Sequence, residues 1–279
     1  MIKSILLPVD GSAYTESVLN HGKYLAEKFD AILRVITILD IRTYEWTLNV
    51  GSEGYMPVVP ATVYQDESHK FLTERADGLI EKISDHLKDS NIKHECKRLD
   101  GSPVELICEL GRQVDLIIMG SRGDFEKWDV AVLGATIESV SRQCQTPLMV
   151  VDKNIGQIKN IIVAYDKSDY SNKSLKLAAN IAEKLELPIE VLTVSNDEEF
   201  RNECLEEAKL YLQPYSLNAQ FRHEAGNASE VIVEVTKNVP DYSLLVMGSY
   251  GHSRIREAIL GSTTVEVIRN AVKPILKAK

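Results

Sequence analysis

Short apolar runs alternate along this chain with longer stretches in which apolar residues recur every three or four positions. Residues 243–247 are almost continuously apolar, whereas residues 174–185 place their apolar side chains on one face of a helix. Ser168 is a natural N-cap for that helix, and Pro188 stops it. Near-continuous apolar strands are typical of a parallel sheet that is covered on both faces. The alternation of such strands with helices predicts right-handed βαβ units. In the second half, strands are predicted at residues 158–165, 189–194, 219–223, 243–247 and 275–277.

The second half of the chain repeats the first. Asp10, just after the first predicted strand, aligns with Asp166, and residues 118–121 align with residues 246–249. Each half is therefore predicted to be a doubly wound α/β domain: a five-stranded parallel sheet of order 3-2-1-4-5 with helices on both faces.

The predicted domains are residues 1–152 and 158–279. The first carries roughly 30 extra residues, which the sequence assigns to a long surface loop near residues 40–65 because glycine and proline are frequent there. The aromatic residues of this loop, Trp46 among them, either pack against the core or close over a groove.

The composition of the 279 residues is that of an ordinary globular protein, with 44% hydrophobic and 26% charged residues. The net charge of −9 argues against a general affinity for nucleic acid or for an anionic membrane, because both need excess positive charge on the protein.

No segment of the sequence approaches the roughly 20 consecutive apolar residues that cross a bilayer, so a cytoplasmic protein is expected. The four cysteines form no CxxC pair and are expected to be reduced thiols.

Ligands of an open α/β sheet bind beyond the carboxyl ends of the strands, where neighbouring helices leave toward opposite faces. In the second half, that point is followed by Gly248, Gly251 and Gly261 in the pattern G-x2-G-x9-G-S-T. Glycines permit a sharp turn and present backbone N–H groups to an anion, and Arg254 and Arg256 add positive charge to the same loop. On their own, the three glycines are weak evidence, because they also suit close helix–sheet packing and a tight turn without any anion.

With this spacing the sequence resembles the universal stress protein family in its tandem two-domain form, over nearly the whole chain. The resemblance implies that Gly248, Gly251, Gly261 and Ser262 bind the phosphates of ATP, and any Mg²⁺ would arrive with the nucleotide. It also implies that Asp166 lies near adenine and ribose, whereas the residue alone is compatible with a helix cap. Val194 is the implied contact for adenine. The other candidate binding residues of the second domain are Ala164, Tyr165, Asp166, Met247, Gly248, Ser249, Gly251, His252, Ser253, Arg254, Gly261, Ser262 and Thr263.

The first half departs from that pattern. After Gly120 and Gly123 the next glycine is Gly134, one position later than the spacing requires, and Ala135 stands where a hydroxyl residue is expected. Acidic residues in the spacer would repel a triphosphate unless a divalent cation intervened, although Thr136 restores one hydroxyl. ATP is therefore expected chiefly in the second domain. The corresponding candidates in the first domain are Pro8, Val9, Asp10, Ile38, Met119, Gly120, Ser121, Arg122, Gly123, Gly134, Ala135 and Thr136.

The sequence thus predicts a cytoplasmic ATP-binding protein that regulates a stress response or signalling. Apart from Glu257 and His252, a lone histidine without a partner carboxylate, the loop offers no evident general base. ATP hydrolysis is therefore expected to be absent or slow. The resemblance also implies that the last strands of the two domains associate antiparallel within the chain. A homodimer of the whole chain is a further possibility.

Two other hypotheses stay open. One is a nucleotide-independent interaction scaffold that uses edge strands and the loop near residues 40–65. The other is an enzyme of related architecture, such as a nucleotidyl transferase or a flavin carrier.

Overall fold

The computed structural model describes residues 2–40, 61–123, 133–249 and 261–279. Strands and helices alternate along these parts of the chain. The first half contains β1 (Ser4–Pro8), α1 (Thr15–Phe29), β2 (Ile32–Asp40), α2 (Ala61–Lys88), β3 (His94–Gly101), α3 (Pro103–Gly111), β4 (Leu116–Gly120), α4 (Ala135–Gln143) and β5 (Leu148–Val151). The second half contains β6 (Asn160–Ala164), α5 (Asp169–Leu185), β7 (Ile189–Val194), α6 (Glu198–Leu212), β8 (Ala219–Glu224), α7 (Ala228–Asn238), β9 (Ser243–Gly248), α8 (Ser262–Asn270) and β10 (Ile275–Ala278).

The strands of the described chain form one ten-stranded sheet in the order β3-β2-β1-β4-β5-β10-β9-β6-β7-β8. Neighbouring strands are parallel within each half. At the centre, β5 and β10 pair antiparallel, with Met149 opposite Leu276. Each half therefore has the order 3-2-1-4-5, which confirms the predicted fold of two tandem doubly wound domains.

Helices bury the sheet from both sides. Helices α1, α2, α5 and α6 contribute to one hydrophobic core, and α3, α4, α7 and α8 contribute to the other. Adjacent residues of one strand serve opposite cores: Leu7 belongs to the first and Leu6 to the second. This two-sided burial is the reason why the strands are almost continuously apolar. None of the helices in the described ranges is both long enough and apolar enough to span a bilayer.

Local signals fix the ends of α5. Its N-cap is Ser168, whose Oγ accepts a hydrogen bond from the backbone N–H of Ser171 at 3.2 Å. At the other end, Glu186 adopts a left-handed φ of 57° and closes the helix two residues before Pro188. Both boundaries agree with the sequence prediction.

Helix α2 corrects the extent of the predicted surface loop. The sequence assigned residues 40–65 to a loop, but β2 runs to Asp40 and α2 begins at Ala61, so residues 61–65 are helical. Helix α2 has 28 residues whereas its counterpart α6 has 15, so part of the extra length of the first half lies in a longer helix. Trp46 and the rest of residues 41–60 lie outside the described part of the chain.

A buried histidine links α1 to the second domain. His21 is 3% exposed, and its Nε2 lies 3.2 Å from the hydroxyl of Tyr242, whose ring stacks on the imidazole. The hydroxyls of Tyr242 and Ser17 donate to the carbonyl oxygen of Asn154, at 2.9 and 3.3 Å. Burial lowers the pKa of His21, so its neutral form bridges the two halves at neutral pH.

The same junction buries a lysine. Lys277 lies in β10 opposite Leu148, its side chain is fully buried, and its Nζ donates to the carbonyl oxygen of Ser141 in the last turn of α4. Nearby, Lys279 Nζ donates to the carbonyl oxygen of Arg142 at 2.7 Å. Burial, reinforced by the positive charge of Lys279, lowers the pKa of Lys277 to about 7. Strand β10 thus attaches the second domain to a helix of the first.

Two of the cysteines are joined. Cys108 in α3 and Cys144, the residue that follows α4, form a disulfide. The expectation of four reduced thiols is wrong for this pair, because the fold brings together residues 36 positions apart that no local motif connects. Cys96 and Cys204 are free, and burial raises the pKa of Cys204 to about 12.

Candidate functional site

The candidate site of the second domain lies where two neighbouring strands end. Strands β6 and β9 are parallel, so the chain leaves both at the same edge of the sheet. Helix α5, which follows β6, lies on one face, and α8, which follows β9, lies on the other. Asp166 comes two residues after the end of β6, and Ser249 directly follows β9. This is the switch point at which doubly wound sheets bind their ligands.

Asp166 organises the turn into α5. Its Oδ1 accepts hydrogen bonds from the backbone N–H of Ser168 at 3.1 Å and from the Ser168 hydroxyl at 2.6 Å. The first domain repeats this turn, since Asp10 Oδ1 accepts from the backbone N–H of Ser12 at 3.0 Å. Asp166 therefore supports the helix cap from a position at the switch point. The two roles considered for this carboxylate, helix cap and ligand contact, do not exclude one another.

Glycine is required at the end of β9 because the chain passes very close to the start of α5. A Cβ on Gly248 would lie 2.8 Å from the Cβ of Tyr170 and 3.1 Å from the backbone nitrogen of Ser171. The same holds in the first domain, where a Cβ on Gly120 would lie 2.6 Å from the Cβ of Tyr14. Close helix–sheet packing is therefore one role of these glycines, with or without a bound anion.

The first turn of α8 lies against the end of β9. The backbone N–H of Gly261 donates to the carbonyl oxygen of Ser249 at 3.2 Å, and Thr264 Oγ1 lies 3.1 Å from the carbonyl oxygen of Gly248. Gly261 is the N-cap, and no side chain in the described ranges caps this turn, whereas α5, α6 and α7 each have a side-chain cap. Ser262, the first residue of the helix, is exposed. Such a helix start attracts anions through its backbone N–H groups.

Several predicted contacts can offer a ligand only their backbone. The hydroxyl of Ser249 is buried and donates to the carbonyl oxygen of Ala278 at 2.7 Å. The side chain of Tyr165 is 2% exposed, and its hydroxyl lies 2.7 Å from Glu207 Oε1. Met247 is 4% exposed. A ligand would therefore meet these residues along the main chain at the ends of the strands.

Lys167 is a functional candidate that the sequence did not suggest. It follows Asp166, adopts a left-handed φ of 62°, and places its Nζ 3.0 Å from Glu203 Oε2 and 3.8 Å from Glu207 Oε2. The acidic partners raise its pKa. The signal was present in the repeat, because the aligned residue of the first domain is Gly11, which also has a positive φ. A non-glycine residue in this conformation often marks a functional turn.

A buried arginine holds the chain beside Val194, at the end of β7. Arg201 Nε donates to His223 Nδ1 at 3.0 Å, and its guanidinium also donates to the carbonyl oxygen of Ser195. Arg201 is 9% exposed although it belongs to no recognisable motif. Only the folded arrangement of β7, β8 and α6 shows that it fixes the loop after Val194.

The same three segments meet in the first domain. Gly123, after β4, lies against the carboxylate of Asp10, because a Cβ on this glycine would be 2.5 Å from Asp10 Oδ2. The backbone N–H of Gly134 donates to the carbonyl oxygen of Ser121 at 3.3 Å, and α4 starts at the exposed Ala135.

The described parts of the chain place the predicted contacts at the carboxyl ends of the strands and in the first turns of α4 and α8, with Ile38 inside β2. The predicted contacts at or next to strand ends include Pro8, Val9, Met119, Gly120, Arg122 and Ala164. Thr136 and Thr263 lie in the first turns of α4 and α8. Outside the described ranges lie Gly251, His252, Ser253 and Arg254, together with the first-domain spacer at residues 124–132.

Comparison with known proteins identifies the family. A family model described as the universal stress protein family matches residues 1–152 and again residues 157–279. The chain belongs to the universal stress protein family.

Similar proteins agree with this assignment, two of them over nearly the full length. Universal stress protein Slr1230 of Synechocystis is 28% identical over 286 residues, which cover 99% of this chain and 99% of the relative. Universal stress protein MJ0577 of Methanocaldococcus jannaschii is 31% identical over 159 residues, which cover 55% of this chain and 96% of the relative. A crystal structure of a universal stress protein from Archaeoglobus fulgidus aligns with a TM-score of 0.78 at 21% identity, covers 99% of this chain and 98% of its own, and shows the same fold.

The two universal stress domains of this chain carry unequal versions of the candidate site. Helix α8 begins with the hydroxyl residue Ser262, whereas α4 begins with Ala135. Next to Asp166, the second domain has Lys167, which forms ion pairs with Glu203 and Glu207. Next to Asp10, the first domain has Gly11, and a Cβ on this glycine would lie 3.8 Å from the guanidinium of Arg75. The two sites therefore differ both in hydroxyl donors and in charge.

Proposed function

We propose that this universal stress protein binds an adenine nucleotide, ATP foremost, in its second domain, and acts in the cytoplasm as a regulator of a stress response or signalling. The observation that carries the proposal is the meeting of three segments at one switch point: Asp166 after β6, Gly248 and Ser249 after β9, and Gly261 at the start of α8. In the sequence, the same glycines belong to the phosphate-binding signature that the resemblance to the family implies.

The groups at this point suit a phosphate. Backbone N–H groups in the first turn of α8 point along the helix axis toward its positive end, and no side chain in the described ranges caps them. Ser262 adds an exposed hydroxyl, and Arg254 and Arg256 add positive charge in the sequence that precedes it. The proposed role of this chain is to hold the phosphates mainly through main-chain amides, and Mg²⁺ would be brought by the nucleotide.

The nucleoside is proposed to lie toward β6 and β7. Asp166 is placed to accept hydrogen bonds from a ribose hydroxyl or an adenine amino group, and Val194 offers apolar contact to the base. Arg201 supports this end because its hydrogen bonds to His223 and Ser195 fix the loop that follows Val194. Binding energy at this end therefore comes from groups that the fold already holds in place.

The first domain is proposed to bind nucleotide weakly or not at all. Helix α4 begins with Ala135, so it lacks the hydroxyl that Ser262 supplies in the second domain. Its spacer carries Asp124, Glu126 and Asp129, which repel a triphosphate.

Hydrolysis is proposed to be slow or absent. Attack on the terminal phosphate requires a water molecule held and deprotonated by a general base. The carboxylate at the switch point, Asp166, is engaged in holding Ser168 and the start of α5. A regulator that senses the nucleotide without consuming it fits this arrangement.

The scaffold hypothesis receives less support. The last strands β5 and β10 pair with each other, so neither leaves a free edge for a partner strand. The sheet of the described chain ends instead at β3 and β8, where charged residues such as Lys97, Arg98 and Arg222 discourage strand addition. A homodimer would accordingly use a surface other than the last strands.

Binding of ATP is expected to stabilise the protein against heat. At a concentration one hundred times the dissociation constant, ATP with Mg²⁺ should raise the free energy of unfolding by about 2.7 kcal/mol, visible as a thermal shift. Gly261→Val should abolish the shift, because its side chain occupies the place where a phosphate approaches the start of α8. The matched variant Gly134→Val, at the start of α4, should keep it.

A second measurement separates this function from a pure scaffold. The purified protein is denatured, and the supernatant is analysed by chromatography for adenine nucleotides. Recovery of nucleotide from the wild type but not from Gly261→Val supports the proposal. An empty extract combined with no thermal shift favours the scaffold, and a full shift in Gly261→Val means that the site lies elsewhere.

A further inference from the structure

We propose that Cys108 and Cys144 form a reversible dithiol–disulfide site, which exchanges with low-molecular-weight thiols and disulfides and controls how firmly α4 is held at the domain junction. The two residues join the middle of α3 to the C-cap of α4, with their Cα atoms 5.1 Å apart. This site is separate from the proposed nucleotide site of the second domain and does not depend on it.

The repeat shows that the same helix pair is also built without cysteines. The N-caps Ser102 and Asn227 align α3 with α7, which puts Val233 at the position of Cys108. The C-caps of α4 and α8 are Cys144 and Ala271, so these two residues are also equivalent. The second domain therefore builds the same helix pair with valine and alanine, and only the first domain carries redox chemistry at this place.

The surroundings allow reaction at one sulfur and protect the other. Cys108 is half-buried, whereas Cys144 is 2% exposed. A small thiol or disulfide would therefore react at Cys108, and Cys144 would resolve the mixed disulfide from inside. The two free cysteines serve as internal references, since burial raises the pKa of both Cys96 and Cys204 and so lowers the fraction of each that is thiolate.

The exchange balances with glutathione as the partner. The thiolate of Cys108 attacks glutathione disulfide, which forms a mixed disulfide and releases one glutathione thiolate. The thiolate of Cys144 then attacks the Cys108 sulfur, which forms the internal disulfide and releases the second glutathione. The two thiol protons of the protein end on the two glutathione molecules, and the two electrons lost by the protein reduce the added disulfide. Reduction is the reverse sequence.

Helix α4 transmits this state to the domain junction. Its last turn accepts hydrogen bonds from the second domain, at Ser141 from Lys277 and at Arg142 from Lys279. The disulfide anchors the same end of the helix. A second anchor remains after reduction, because Thr146 Oγ1 donates to the carbonyl oxygen of Gly111 at 2.6 Å. Reduction is therefore expected to loosen the last turn of α4 while the fold persists.

The test equilibrates the native full-length chain with glutathione and glutathione disulfide at a series of ratios. Free thiols are trapped by alkylation and assigned by peptide mass, and hydrogen exchange is measured on residues 135–143 and 275–279. The pair should change between disulfide and dithiol as one unit, with at least tenfold faster exchange at the end of α4 in the reduced form. Helix α8 should exchange at the same rate throughout.

The control variant carries Cys108→Val together with Cys144→Ala, the residues of the second domain. Its exchange in α4 should not depend on the glutathione ratio. The proposal is overturned if the wild-type pair never oxidises, if it resists reduction until the protein unfolds, or if the exchange of α4 is equal in the oxidised and reduced forms.

Discussion

Lys277→Met is expected to stabilise the protein by about 2 kcal/mol at pH 7. Lys277 is fully buried, and no carboxylate in the described part of the chain pairs with it. Its amine donates to the carbonyl oxygen of Ser141. Methionine has a similar length and no charge to desolvate, so it fills the same space between α4 and β10. Part of the gain is offset because the Ser141 carbonyl loses its donor.

The pH dependence of this effect follows from proton binding. Burial lowers the pKa of Lys277 from 10.5 to about 7. Between these values the unfolded chain holds a proton that the folded protein does not, so the free energy of unfolding rises with pH across this window. The contribution is fully present above pH 10.5 and is lost as the pH falls toward 7. From pH 7 to pH 9 it amounts to about 2 kcal/mol.

Urea unfolding of wild type and Lys277→Met at pH 7, 8 and 9 measures both quantities. The variant should be more stable at pH 7 and should lack the rise of the wild type toward pH 9. Lys279→Met, which removes the less buried neighbouring amine, is the matched control and should retain that rise. A variant that is less stable than wild type at every pH would show that the amine is a net stabiliser of the junction.

Gly248→Val is expected to lower the free energy of unfolding by roughly 2–4 kcal/mol. The new Cβ would lie 2.8 Å from the Cβ of Tyr170 and 2.9 Å from its carbonyl carbon. Because one of these atoms is backbone at the start of α5, no side-chain rotation relieves the contact. The helix has to move away from β9, and the turn that contains Asp166 moves with it.

A glycine with open space around it provides the comparison. A Cβ on Gly78, within α2, has no atom within 4 Å, so Gly78→Ala should stabilise the protein by about 1 kcal/mol through helix propensity. Thermal and urea unfolding of both variants are compared with wild type. If Gly248→Val unfolds at the wild-type denaturant concentration, the close approach of β9 to α5 is not present in solution.

The sequence was sufficient for several features that depend on neighbours along the chain, although it missed the first turn of α2 at residues 61–65. The strand predicted at residues 189–194 coincides with β7, and Ser168 caps α5 as its hydroxyl and position indicated. Strand order followed from the repeat and the rules of βαβ connection, and the ten-stranded sheet confirms it.

Features that depend on distant partners were not accessible in this way. Lys277 reads as an ordinary polar residue at the end of a strand, and only the pairing of β10 with β5 and the position of α4 bury it. Cys108 and Cys144 are 36 residues apart, and no local pattern links them. At the candidate site, the sequence indicated Asp166 and the glycines but missed Lys167. The aligned Gly11 was a signal for its left-handed turn, but the ion pairs of Lys167 with α6 exist only in the folded chain.

The central claim is that one adenine nucleotide binds at the switch point of the second domain. Isothermal titration of wild type, Asp166→Ala and Asp10→Ala with ATP and Mg²⁺ tests it most directly, after thermal unfolding has shown that both variants are folded. We expect one dominant site per chain, at least tenfold weaker binding in Asp166→Ala, and unchanged affinity in Asp10→Ala. Equal losses in the two variants, or no heat of binding in the wild type, would contradict it.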